Sequence, residues 1–105
     1  MITLKVKKLT NTLQKISGLL GKSQPENIFF TTQWGIHTFG MKFPIDVIIL
    51  NRENQVVRIK KNLQPNKIFL WNPQFDKIVE LPEGTIKKEK IELGEKIKVQ
   101  DSETL

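Results

Sequence analysis

The only histidine, His37, lies nine residues ahead of Asp46, with Thr38 between them. An imidazole oriented by a carboxylate beside a hydroxyl is the equipment of a hydrolase: His37 as base, Asp46 holding the ring, Thr38 as nucleophile. The spacing matches no established triad. The same three residues also read as structure. A lone histidine is commonly satisfied by its neighbours, Thr38 can donate a hydrogen bond to Asp46, and Asp46 can tie down the loop ahead of it. Trp34, beside Gly35 in a loop, is the aromatic expected at a surface cleft. Met41 adds an adaptable apolar wall, or simply fills core. Glu80 is either a second carboxylate in that cleft or a cap for the amides of the Gly84–Thr85 turn. The candidate site is therefore a cleft at Ile36–Asp46 walled by Trp34, His37, Thr38, Met41 and Asp46, with Glu80 nearby. No metal site and no cofactor are expected.

The elements that must hold this cleft are short strands. Ile45 to Leu50 is apolar and β-branched, and Pro44 introduces it where a missing N–H costs least. It reads as a central strand covered on both faces. Alternation puts Asp46 on the face of Ile48 and Leu50, out of water unless partnered. Its candidate partners are His37, Thr38, Lys42 and backbone amides at the strand entrance. Ile2, Leu4 and Val6 alternate with polar residues as a half-exposed strand. Thr10 or Asn11 caps a predicted short helix through Leu13, Ile16 and Leu20, stopped by Gly21. Ile28–Thr32, Val56–Lys60, Lys67–Trp71, Lys77–Leu81 and Lys96–Val99 read as further strands. Asn54 suits a left-handed turn position, Thr85 is placed to cap one helical turn through Glu89, and Asp101 to Leu105 reads as a frayed tail. Phe69 and Trp71 share a strand face; they read as core, or as a stacking platform for rings. The expected fold is mainly β (α+β): a compact curved antiparallel or mixed sheet, or a small β-barrel. One short N-terminal helix and one helical turn near the C-terminus complete it.

With 105 residues the chain reads as one domain, 1–105. It has no cysteine, so disulfides, thiol nucleophiles and thiolate metal sites are excluded. A lone histidine disfavours a typical zinc site. No apolar run approaches the roughly 20 residues of a membrane span, and the start carries no export signal, so a cytoplasmic location is expected. The net charge is +6, and no acidic residue precedes Glu26. Such a bias favours phosphate-bearing partners, or is a solvated basic face.

Three blocks resemble a known family, domain of unknown function 192. They are Gly18-Leu19-Leu20-Gly21-Lys22, then Ile36-His37-Thr38-Phe39-Gly40-Met41-Lys42-Phe43-Pro44-Ile45-Asp46-Val47, then Glu80-Leu81-Pro82-Glu83-Gly84-Thr85 with Gly94-Glu95 following. Asn62-Leu63-Gln64-Pro65 fits between the second and third. The sequence departs from the family pattern at Gln33, Asn51, Asn54, Asn66, Lys90 and Glu95. The resemblance implies a small, mainly β domain with minor helices and imports no reaction.

The leading expectation is a non-catalytic module that binds a small ligand or a protein partner at the Ile36–Asp46 cleft, as a monomer or weak homo-oligomer. The alternatives are a hydrolase using His37 and Asp46, and nucleic-acid or polyanion binding through the basic surface.

Overall fold

The computed structural model describes residues 1–9 and 26–102. The helix expected between Thr10 and Gly21 lies outside these residues. Among the described residues the order is β1 (Ile2–Lys8), β2 (Ile28–Thr31), β3 (Gly35–His37), β4 (Ile45–Leu50), β5 (Val56–Leu63), β6 (Ile68–Leu70), β7 (Lys77–Pro82), α1 (Thr85–Lys88) and β8 (Ile97–Asp101). The mainly β expectation holds.

Six strands form one sheet in the order β5-β4-β7-β2-β1-β8. The run from β5 to β2 is antiparallel, while β1 is parallel to both β2 and β8. The sheet curls until its two edge strands approach. Gln55 bridges Lys96, and Val56 and Ile97 donate to the Glu95 and Asn54 carbonyls. Strands β3 and β6 form a separate antiparallel ribbon.

All six residues of β4 are buried, as an apolar run covered on both faces requires. Ile45, Val47 and Ile49 join one core cluster with Ile28, Phe30, Ile78, Phe69 and Trp71, beneath the ribbon. Ile48 and Leu50 join another with Leu4, Val6, Val56, Leu81, Ile86 and Ile97. The second cluster draws residues from both edge strands, so it fills the inside of the curl.

Two local readings change. The helical turn after Gly84 is present, but Thr85 does not cap it: its hydroxyl donates to the Pro82 carbonyl at 2.7 Å. Gly84 takes the cap position at φ 92°, a backbone conformation that residues with a side chain rarely adopt. Asp101 and Ser102, expected in a frayed tail, are held instead: Asp101 pairs with Val6 and Ser102 donates to the Val6 carbonyl, while residues 103–105 lie outside the described ones. Asn54 is left-handed, as its residue type suggests, with φ 60°. None of the described helices is long and apolar enough to cross a membrane.

Candidate functional site

Asp46 is buried on the face of Ile48 and Leu50, as alternation requires. Its partners are all backbone amides. Oδ1 accepts from Asn62 at 3.0 Å, and Oδ2 accepts from Gly84 at 3.1 Å and from Ile86 at 3.0 Å. Both sides of this arrangement are built by local irregularities. Opposite Asp46, the β4–β5 register jumps from Ile45–Leu63 to Val47–Lys60, leaving an extra residue in β5. Asn62 sits in that bulge at φ 55°, which Asn tolerates, and the kink turns its amide toward the carboxylate. On the other side the chain leaves β7, turns at left-handed Gly84 and enters α1. Its first amides have no partner within the helix, and Asp46 supplies one from another strand. Asp46 therefore holds β4, β5 and the start of α1 together.

His37 is not part of this arrangement. It belongs to β3, in the ribbon on the opposite face of the sheet, and its side chain is exposed. Its Nδ1 accepts from the Phe39 amide at 3.3 Å, and its ring stacks on Phe39 with centroids 4.9 Å apart. The imidazole–carboxylate pair that hydrolysis would need is not assembled.

Thr38 is fully buried, and its hydroxyl is used twice. It donates to the Gln64 carbonyl at 2.7 Å and accepts from the Lys67 amide at 2.9 Å. Its own carbonyl accepts from Met41 and Asn66, and the Asn66 side chain accepts from the Gly40 amide at 3.2 Å. Thr38 thus pins the turn between β5 and β6 to the loop after β3. Thr38→Val keeps the shape but strands one buried donor and one acceptor, so unfolding free energy should fall by about 2 kcal/mol. Urea unfolding of the two proteins measures this; equal midpoints would show that the hydroxyl carries no structural role.

Met41 is buried core. Glu80 is also buried, but not beside Asp46. In the β4–β7 register Glu80 faces Val47 and Asp46 faces Leu81, so the two carboxylates point to opposite sides of the sheet. Glu80 stands between Ile28 of β2 and Val47 of β4 under the ribbon side. No described residue hydrogen-bonds its carboxylate, and burial pushes its pKa from 4.5 up to about 7. Capping of the Gly84 turn, one reading for Glu80, falls to Asp46 instead.

The cleft expected at Ile36–Asp46 is thus divided. Thr38, Met41 and Asp46 are interior, while Trp34 and His37 are exposed. What the ribbon presents instead is an apolar outer face. Phe69 and Ile36 pair across it and turn inward, where Phe69 contacts Trp71. Ile68 and Leu70 point out, 61% and 63% exposed; Phe39 (48%) stacks on His37 opposite Ile68, and Trp34 (66%) is exposed at the N-terminal end of β3. Leu70 lies over Gly35, so closely that a β-carbon there would come within 2.6 Å of its side chain. Sequence reasoning placed Trp34 on the surface but missed Ile68 and Leu70. Their strand is apolar on both faces, so its own pattern carried no signal of which side would be covered.

Beside the ribbon lies a groove of about 380 Å³ between β5 and β6. Arg58, Lys60 and Lys67 line it, and the Arg58 guanidinium sits 5.0 Å over the Phe69 ring. Among the described residues no cluster of three or more His, Asp or Glu could hold a metal ion.

A family model described as DUF192, Uncharacterized ACR, matches residues 2–99. No curated protein matches the sequence. A crystal structure of a protein of unknown function from Novosphingobium aromaticivorans superimposes with a TM-score of 0.73 at 16% identity, over 87% of this chain and 70% of that one. A Sinorhizobium meliloti protein described as a candidate transcription regulator superimposes with a TM-score of 0.75 at 20% identity, over 85% of this chain and 76% of that one. At these identities the likeness is one of fold alone.

Proposed function

The chain belongs to DUF192, a family of uncharacterised proteins, and from that premise we propose that it is a non-catalytic binding module. Its working face is the outer side of the β3–β6 ribbon, and its occupant is an extended segment of another protein. The carrying observation is the exposure of Trp34, Phe39, Ile68 and Leu70 around one two-stranded ribbon. Scattered single apolar residues need no explanation, whereas a contiguous group on one face marks an interaction site. Aromatic residues are also the usual anchors of such surfaces. The placement of the titratable groups supports a binding role over hydrolysis. Asp46 spends both oxygens on backbone amides, and His37 bonds to its own loop.

Site-directed photo-cross-linking tests the proposal. Benzoylphenylalanine introduced at Phe39 or Leu70, in cells that make the protein, should yield a discrete protein adduct on irradiation. The same group at exposed Lys98, on edge strand β8 outside the ribbon, should not. Absence of ribbon adducts, or the same adducts from both places, would remove the reading.

A further inference from the structure

We infer that the segment taken up by this ribbon is acidic, and that it adds as a strand to the free edge of β6 with its carboxylates turned toward Arg58 and Lys60. This rests on the ribbon being the binding face and goes beyond it by fixing the partner's chemistry and geometry.

The ladder supplies the first part. In an antiparallel pair, hydrogen-bonded and non-hydrogen-bonded residue pairs alternate. Thr38 donates to the Lys67 carbonyl and Trp71 donates to the Trp34 carbonyl. Two residues in from either end, Ile36 and Phe69 are then the next bonded pair. The N–H and C=O groups of Ile68 and Leu70 consequently point away from β3. Strands β5 and β6 are not paired with each other, so that edge faces the groove. A short row of unpaired backbone groups is a template for an incoming strand.

Charge supplies the second part. Ile49 opposes Arg58 and Val47 opposes Lys60, so both cations project from edge strand β5 on the face that carries the ribbon. Arg58 reaches over the inward ring of Phe69. Lys67 stands at the entrance of β6, and no acidic residue lines the groove. A strand laid along β6 would alternate its side chains as β6 does. Those on the Phe69 side would meet Arg58 and Lys60; those on the outer side would lie beside Ile68 and Leu70. The complementary sequence therefore alternates acidic and apolar residues. A second copy of this chain is a poor occupant, since it brings the same basic rim and a net charge of +6. A nucleic acid would satisfy the cations but leave the β6 amides and the apolar strip unused.

The test uses the full chain and an acetylated, amidated pentapeptide of alternating valine and glutamate. Amide chemical shifts should move and saturate around Ile68 and Leu70. Arg58→Glu or Lys60→Glu in the protein, or glutamine for glutamate in the peptide, should weaken binding about tenfold or more. N-methylation of the peptide's alternate edge-facing amides should abolish it. The peptide-side changes keep the result independent of how the protein variants fold. Equal binding of the glutamine peptide, with no effect of charge reversal, would overturn the acidic assignment while leaving the ribbon's cross-linking result standing. Equal binding of the N-methylated peptide, tighter binding of a thymidine oligonucleotide, or no shift at millimolar pentapeptide would overturn strand addition.

Discussion

Asp46→Ala should lower the free energy of unfolding by about 3 kcal/mol, because it strands the amides of Asn62, Gly84 and Ile86 at once. Each unpaired buried N–H costs roughly 1–3 kcal/mol, and some relief comes from loop relaxation and water entry. Against the 5–15 kcal/mol of a typical domain, about 3 kcal/mol is a large share. Asp46→Asn should cost less, about 2 kcal/mol, because its carbonyl oxygen can keep two of the three bonds while its amide group opposes a remaining N–H. Chemical denaturation gives both values. Amide exchange adds a signature that a plain packing loss would not produce: protection should fall together at Asn62, Gly84 and Ile86, residues distant in sequence. A loss below about 1 kcal/mol for the alanine variant would mean that the carboxylate does not hold these elements together.

Glu80 carries the second large effect, and it is one of pH. The folded chain holds its carboxyl proton up to about pH 7, while the unfolded chain releases it near 4.5. Between those values the native state binds more protons, so stability falls as pH rises. The slope is about 1.4 kcal/mol per pH unit, giving a loss on the order of 3 kcal/mol between pH 4.5 and 7. Below pH 4.5 this stabilising contribution is fully present, and above pH 7 it is gone. Glu80→Gln removes the ionisation and keeps the shape. It should match the parent near pH 4 and exceed it by about 2–3 kcal/mol at pH 8. Denaturant unfolding at pH 4, 6 and 8 decides the matter; parallel pH profiles for parent and variant would show that Glu80 is not the titrating group.

The two carboxylates show how similar positions acquire different roles. Both sit inside buried strands, and neighbouring strands place them on opposite faces. Asp46 meets a bulge and a helix start, which bring it three donors. Glu80 lies between Ile28 and Val47, with no described hydrogen-bond partner, and desolvation raises its pKa to about 7 instead.

Much of the frame is local and was legible in the residues. The apolar run from Ile45 to Leu50, interrupted only by Asp46, marks a strand covered on both faces, and the two-residue period assigns Asp46 to the side of Ile48. The alternation of Ile2, Leu4 and Val6, the turn at Asn54 and the helical turn after Gly84 follow from residue type in the same way. The family blocks added a correct membership and no chemistry.

The site was different, because its contacts are not local. Asp46 finds its donors 16, 38 and 40 residues along the chain, and Thr38 finds its acceptor 26 residues away. Which amide reaches which oxygen depends on strand order, on the extra residue near Asn62 and on the left-handed turn at Gly84. The exposed strip was undecided for the same reason. A three-residue strand such as Ile68-Phe69-Leu70 has apolar side chains on both faces, so its own pattern does not say which face will be covered. Periodicity within a segment fixes what that segment prefers, whereas closure of the sheet fixes what it meets; only the latter put Phe69 inside, left Ile68 and Leu70 outside, and separated His37 from Asp46.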